Sequence, residues 1–449
     1  MSSLIAIFGA IFAFFIVVVV HEFGHFIVAR WVGIKVIRFA IGFGKPILTY
    51  RGKSGVEYAI GYLPLGGYVK MQDAFSEPEE NVGSSGTAYE SKSVLARMAV
   101  VLAGPIANFI LAWLIFCVVF CIGVSHIKPI VGAVSVNSVA EKAGLRSGDQ
   151  IVKIQTWSVQ NWQQVVMSFI ENVGDRQDVS MTVMRGNPAE PIAVQLDLQH
   201  WQFDPMKPDL LASVGLTPFF PRIPPVVAWV VPHSPAEKGG LLAGDVITAV
   251  DQQPIADWQT FVKWIEKHPS QTVLVHLQRK GVAKTLSVVT GEKNQMGFLG
   301  VQSKPLTIPD SLKSTERYPW YATPTIALTE IARWGHFQLV VLKQMITGHI
   351  SPKAMGGPVS IFQTAGAASL QGLVVYLQFI ALISVVLGVL NLLPIPGLDG
   401  GHFVFCLIEG LTGKPLPLRV QIMLINMGML MLILLMLYAT TNDIARLFQ

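Results

Sequence analysis

Charge is what this sequence most lacks. Only 14% of its 449 residues are Asp, Glu, Lys or Arg, and 51% are hydrophobic. Soluble globular chains carry about a quarter charged residues, so the deficit points to a membrane protein. The length leaves room for two or three folded units beyond the spans. Cysteine is nearly absent. Cys117, Cys121 and Cys406 all lie in or near apolar runs, and none falls between Ser125 and Ile350, which excludes a disulfide framework. Cys117 and Cys121 share a helix face, but free cysteine is more often a small buried hydrophobe than a metal pair. The net charge of +5 is scattered. No dense basic patch with interleaved aromatics is present, so no nucleic-acid partner is expected. The chain also lacks a basic segment ahead of its first apolar run and a small-residue cleavage site before His21. That run is therefore expected to be retained as a span and not removed as a signal peptide.

Four charge-free stretches are long enough to cross a bilayer as helices: about Ile5–Val20, Met98–Val124, Leu373–Leu393 and Ile422–Tyr438. Lys and Arg near span ends set orientation. Arg30, Lys35, Arg38, Lys45, Arg51, Lys53, Lys92 and Arg97 lie between spans one and two, and Lys414 and Arg419 lie between three and four. Both termini, and the long segment from Ser125 to about Gly372, are thus expected outside. Spans one and three then both run inward. The end of the first and the end of the third, near Asn391–Asp399, reach the same depth.

The first span ends in "VVVVHEFGHFIVAR", Val17–Arg30. Residues four apart share a helix face, so His21 and His25 can present both imidazoles to one zinc ion. Glu22 beside them is the candidate general base for a water that the metal activates. Such a site wants one more protein ligand and an open position. "NLLPIPGLDGGH", Asn391–His402, offers it at the matching depth. Asp399 is the preferred third ligand and His402 the rival. Pro394 and Pro396 break the helix there, and irregular backbone at membrane depth is tolerated where it lines a cavity.

These motifs resemble the site-2 protease family of intramembrane zinc metalloproteases. "HEFGH" matches the family's H-E-x-x-H, and "NLLPIPGLDGG" its N-x-x-P-x-x-x-x-D-G. "AGPIANF" (Ala103–Phe109) matches its G-x-x-x-N, while "IGFGK" (Ile41–Lys45) and "PLGGYVKM" (Pro64–Met71) look like its cytoplasmic-side loops. The resemblance implies one zinc ion held by His21, His25 and Asp399, with Glu22 catalytic. It also implies substrate contact at Asn391 and Pro394 and at Gly42, Phe43 and Gly44. Asn391 is a further candidate oxyanion donor. Gly104 is expected to allow close helix packing, and Asn108 to hydrogen-bond inside the bundle.

"VIRFAIGFGKPILTYRGKSGVEYAIGYLPLGGYVKM", Val36–Met71, mixes short β-rich runs with Gly and Pro turns, and "YRGKSGVEY" reads as a hairpin turn. An edge strand here can draw a substrate out of helical form by pairing with it. The resemblance implies that role for a membrane-associated β-hairpin loop. Met71–Gly86 reads as an acidic, Ser- and Gly-rich loop.

Outside the spans, "SVAEKAGLRSGDQIV" from Ser138 and "SPAEKGGLLAGDVIT" from Ser234 align at a constant offset of 96, which also relates Trp162 to Trp258. Such self-similarity signals duplicated units, and the A-x-x-x-G-L-x-x-G-D pattern resembles bacterial PDZ domains. They either capture peptide ends by strand addition or act as a steric filter against substrates with a large outer domain. The filter is favoured, because the resembled family cuts substrates that another protease has trimmed. Beyond them, Ile331, Trp334, Val341, Leu342 and Met345 lie along one helical face, interrupted by Gln338, with Arg333, His336, Lys343 and Gln344 opposite. That is an amphipathic helix for the outer membrane face or for core packing.

The expected fold is an α-helical polytopic membrane protein with four transmembrane helices, a membrane-associated β-hairpin loop and two inserted α+β PDZ-like domains. The expected divisions are a membrane part at 1–126, PDZ-like domains at 127–220 and 223–303, a linker with the amphipathic helix at 304–372, and a second membrane part at 373–449. By resemblance the chain sits in the bacterial inner membrane among lipids, with its termini and PDZ-like domains periplasmic and its active site toward the cytoplasm. It would cut the membrane segment of a single-span protein, such as an anti-sigma factor in envelope stress signalling or a remnant signal peptide. Nothing in the sequence fixes an oligomeric state. The rival reading is a peptide-binding membrane scaffold, which has no use for Glu22 beside two histidines.

Overall fold

The structure, a computed structural model, describes residues 2–72, 87–173, 178–186, 188–199, 201, 209–304, 308–354 and 356–447. The chain opens with α1 (Ser2–Trp31), which continues unbroken through the H-E-x-x-H segment. Strands β1 (Val36–Arg51) and β2 (Glu57–Met71) follow and pair with each other, with the expected turn between them. Both are bent. Arg38–Ile41 have partners on two sides, Glu57–Ile60 and Gly67–Lys70, while Pro46–Arg51 pair with Glu57–Gly61. The bend in β1 falls at Gly42 and Gly44, with φ of 83° and 90°, a conformation open to glycine without steric cost. The near part of this pair buries Val36, Phe39 and Val56 against Phe26 and Ala29 of α1. The far part exposes Phe43, Ile47, Leu48, Tyr50 and Tyr62. The loop expected at Met71–Gly86 lies, from residue 73 on, outside the described residues.

Helix α2 (Val94–Ile122) starts where Ser93 Oγ accepts from the Ala96 N–H, an ordinary N-cap. Two similar arrangements come next. In the first, β3 (Gln150–Ile154), β4 (Trp157–Ser158), α3 (Trp162–Glu171), β5 (Val179–Arg185) and β6 (Glu190–Leu196) form a sheet of order β4-β3-β5-β6 with one helix. In the second, β7 (Val246–Val250), β8 (Gln253–Pro254), α4 (Trp258–Glu266), β9 (Thr272–Arg279) and β10 (Val282–Val289) repeat that order as β8-β7-β9-β10. Each has its own core. Ile151, Val165, Phe169, Met181 and Leu196 fill one, and Ile247, Phe261, Val275 and Leu277 the other. The aspartate of the repeated G-D pair is buried in both. Asp149 accepts from Arg185 Nε at 2.6 Å and from the Arg146 N–H. Asp245 accepts from Arg279 Nε at 2.7 Å and from the Leu242 N–H. The motif thus ties a glycine turn to a central strand.

Removing one partner of a buried ion pair strands the other charge. Asp245→Ala should therefore loosen its sheet by about 3 kcal/mol, read as faster amide hydrogen exchange in β7 and β9 of the full chain. Unchanged exchange would show that the pair contributes nothing. Burial pushes the Asp245 carboxyl up, but Arg279 and the Leu242 N–H outweigh it and hold it below the ordinary range. A depressed folded pKa gives stability that is present above the unfolded value, about 3.9 for Asp, and is lost as pH falls through the folded one.

The chain returns to the helices through a strand pairing, Val124–Ile127 with Lys313–Glu316. Helix α5 (Thr323–Ile346) covers the expected amphipathic segment. Ile331 and Trp334 pack beside α2 residues Phe116 and Phe120. Of the opposite side, His336 and Lys343 are exposed, but Arg333 and Gln344 are buried. Arg333 lies over the Trp157 ring at 5.4 Å, and Gln344 Nε2 donates to Val173 O at 2.6 Å. These polar groups are buried because α5 is covered on that side by the first of the two repeated units, where each finds a partner.

Helices α6 (Pro358–Leu370) and α7 (Leu373–Leu392) divide one charge-free stretch at Gly372, whose φ is 110°. Helices α8 (Asp399–Thr412) and α9 (Leu418–Leu447) complete the chain. Asp443 of α9 accepts from the Gly357 and Ser360 N–H groups, each at 2.9 Å, and so caps α6 from another helix. Among the described residues four helices are long and apolar enough to cross a membrane: Leu4–Trp31, Val94–Ile122, Leu373–Leu392 and Leu418–Arg446. The four expected spans fall on them, except that Gly123, φ 103°, ends the second before Val124 and the third ends at Leu392. Three run further than the charge-free stretches, because helix continues into residues such as His21–Arg30, Val94–Arg97 and Asn442–Arg446. α2 sits centrally and packs on α1, α5, α7 and α8.

Candidate metal centre

α1 brings His21 and His25 to one face, and both are buried, at 8% and 9% exposure. The turn Leu393–Leu398, broken by Pro394 and Pro396, ends in Asp399 at the start of α8. The two segments meet. Asp399 Oδ2 lies 3.2 Å from His21 Nε2 and 3.4 Å from His25 Nε2, and the two nitrogens are 3.3 Å apart. These three form the group of possible metal donors found among the described residues. His402 is not part of it. It is exposed and packs edge-on against Phe405 at 5.8 Å.

The three donors fit a zinc ion. Ligands held tetrahedrally at about 2.0–2.1 Å from a metal sit about 3.3 Å from one another, close to the three separations here. Asp399 Oδ2 is also buried with no hydrogen-bond partner, and a buried orphan acceptor needs an explanation. An ion between it and the imidazoles supplies one.

The other ring nitrogens are held by α2. His25 Nδ1 lies 2.7 Å from the Val100 carbonyl. That acceptor keeps the proton on Nδ1 and leaves the Nε2 lone pair free. His21 Nδ1 contacts the side-chain amide of Asn108 at 3.2 Å, as the expected role of Asn108 requires. The matching tautomer of His21 needs the amide oxygen, otherwise buried and unpartnered, to face Nδ1. Which end of an amide faces a partner is decided by the hydrogen-bond network, and here one orientation satisfies both groups. Gly104 lies between these positions, and a Cβ there would collide with the rings of His25 and His21. The close packing expected of Gly104 is therefore made against the imidazoles themselves.

Glu22 is half-buried, next to His21 on α1. Its other neighbour is β2. A Cβ at Gly67 would come within 2.8 Å of both Glu22 Cγ and the Ala40 carbonyl, so the strand passes close against the carboxylate side chain. Asn391 Nδ2 lies 3.4 Å from His21 Nε2, at the edge of the group. Of the remaining expected substrate residues, Pro394 is exposed in the turn. Phe43 is exposed at the bend of β1, stacked on Tyr68 at 6.4 Å, and Gly42 and Gly44 flank it. Gly67, and Gly24, which faces the Ala103 carbonyl, were not singled out from the sequence. Both contacts depend on how α1, α2 and β2 are placed, although Gly67 sits inside the "PLGGYVKM" segment.

The peptidase family M50 matches residues 9–435 of this chain. The regulator of sigma-E protease RseP of Escherichia coli K12 is 39% identical over 440 residues, 96% of each chain. The regulator of sigma E protease of Haemophilus influenzae is 37% identical over 452 residues, 100% of each. A Vibrio cholerae protein named as a zinc metalloprotease is 35% identical over 448 residues, 97% of this chain and 98% of that one. Among solved structures, the PDZ domain of an SdrC-like protein of Listeria monocytogenes covers 20% of this chain and 93% of its own, at 20% identity and a TM-score of 0.17, a likeness too slight to carry weight.

Proposed function

The chain belongs to peptidase family M50 and is a zinc metalloprotease of the site-2 protease class, and on that footing we propose that it cuts single-span membrane proteins within their transmembrane segments. The observation that carries this reading is the meeting of His21, His25 and Asp399 at 3.2–3.4 Å beside Glu22, on helices of membrane-crossing length.

Each residue has a role in that reading. His21, His25 and Asp399 hold one zinc ion. The bound ion supplies Lewis acidity, which eases deprotonation of a water and polarises a carbonyl. Glu22 takes the proton of the attacking water and passes it to the leaving amine. Asn391 contacts the substrate near the group. Gly42, Phe43, Gly44 and Pro394 form further substrate contacts, and the β1–β2 pair offers an edge to a segment drawn out of its helix, since a helical backbone is closed by its own hydrogen bonds. The strand contact at Gly67 supports this role, because it sets that sheet directly beside Glu22. A bond to be cut inside a membrane requires the site to be there too, with water led in from the cytoplasmic side.

The wider reading follows from the relatives. The relatives named for regulating sigma-E support a trimmed anti-sigma factor as substrate, with remnant signal peptides as a second class, and an inner-membrane location with termini and outer units in the periplasm. The divisions at 1–126, 127–220, 223–303, 304–372 and 373–449 belong to this proposal, with 127–220 and 223–303 as PDZ-like units that work as a size filter. The seating of the first unit on α5, through Arg333 and Gln344, supports a filter lying over the helices.

The test is cleavage of a model single-span substrate by the purified chain, with and without a large folded domain on its outer side. The trimmed form should be cut at least tenfold faster. Equal rates would remove the filter and leave the protease. No cutting of either form by zinc-loaded protein would contradict the function itself.

A further inference from the structure

The two halves of the candidate site are far apart in the chain, and α8, which carries Asp399, is not a continuation of α7. The turn before it contains two prolines, so the direction of α8 must be set by what it packs against. Part of that is local. Gly400 and Gly401 lie so close to the backbone of Leu392, Leu393, Ile395 and Pro396 that a Cβ on either would collide. The rest is remote. Arg97 Nη2 of α2 bonds Glu409 Oε1 of α8 at 2.5 Å, with side chains only 11% and 19% exposed. Arg97 lies over the Tyr89 ring at 6.0 Å, and the Tyr89 hydroxyl meets Cys406 Sγ of α8 at 3.9 Å. On α8, Asp399, Cys406 and Glu409 lie within about a quarter-turn of one face, and Glu409 is about 15 Å along the axis from Asp399.

The α2 side of this contact is equally ordered. Arg97, Val100, Gly104 and Asn108 follow one another at spacings of three, four and four, which is one stripe of a helix. Val100 holds His25, Gly104 fits against both imidazoles, and Asn108 meets His21. Arg97 is the next residue of the same stripe and holds α8. A single stripe of α2 therefore touches both histidines and anchors the helix of their carboxylate partner.

We propose that the partly buried Arg97–Glu409 pair is a positioning device that fixes α8 on α2 so that Asp399 stands at bonding distance from His21 and His25. This rests on the assignment of those three residues as the zinc ligands. Neither residue touches the reacting atoms. Mutating partners outside the ligand shell commonly costs about 10–100-fold in metal affinity, and this pair acts through the backbone of α8 on one ligand of three.

Zinc retention by the purified full chain under a chelator tests this. Glu409→Gln keeps the shape and removes the charge. It should lose zinc about tenfold faster than the parent and cut more slowly, with helix content unchanged by circular dichroism. Exchanging the charges, Arg97→Glu with Glu409→Arg, should restore part of the retention, which a merely structural loss would not do. Should Glu409→Gln fail to fold, Glu409→Asp keeps the charge but withdraws it by one methylene. It should also lose zinc faster than the parent. A folded single variant that holds zinc as the parent does overturns the proposal while leaving the ligands intact. A parent chain without zinc overturns the ligand assignment, and this proposal with it.

Discussion

Glu22→Gln should stop proteolysis while leaving zinc in place. The two side chains have the same shape, so the packing of Gly67 against Glu22 Cγ is kept. The amide has no proton affinity to take a proton from water and none to hand to a leaving amine. A positioned general acid–base group contributes about 10²–10⁴-fold, and the loss here should lie at the upper end because the proposed mechanism gives both transfers to one residue. The checks are the cleavage rate of a single-span substrate and metal analysis of the same sample. Normal cleavage by the variant would remove Glu22 from the reaction. Loss of zinc together with activity would instead place Glu22 among the ligands.

The second large effect separates Asp399 from His402. Asp399→Ala should lose both metal and proteolysis, whereas His402→Ala should keep both. Apparent zinc binding in four-ligand protein sites is about 10–16 kcal/mol, so one ligand is worth about 3 kcal/mol, or about two orders of magnitude in affinity. The geometry makes the contrast sharp. Asp399 Oδ2 sits at 3.2 and 3.4 Å from the two imidazole nitrogens, while His402 is exposed and leans on Phe405. Titration with zinc, read by metal retention, measures it. Equal retention by the two variants would contradict the assignment.

Much of the site was legible in the sequence because its chemistry is local. Two histidines four apart on a helix face the same way whatever surrounds them, and a charge-free run fixes a span by its length alone. Asp399 was reachable because the depth of two spans is a one-dimensional property that orientation rules supply. The repeat was legible for the same reason, and the two sheets share strand order and the buried Asp–Arg pair. What was not legible depends on packing between distant segments. Arg97 and Glu409 are 312 residues apart; singly, one is a charge beside the second span and the other a charge in the link between the third and fourth. Arg333 and Gln344 read as the polar side of a helix, but the first of the two repeated units covers them. The return of β1 between two parts of β2, which sets Gly67 beside Glu22, is a matter of register that the alternation of residues does not fix.

The measurement that bears most directly on the centre is zinc-edge X-ray absorption on the purified parent chain. Two imidazole nitrogens and a carboxylate predict light-atom scattering at about 2.0–2.2 Å, with the multiple-scattering pattern of two histidine rings and no sulfur at about 2.3 Å. A sulfur shell, a metal surrounded only by oxygen, or the same spectrum from Asp399→Ala would contradict it.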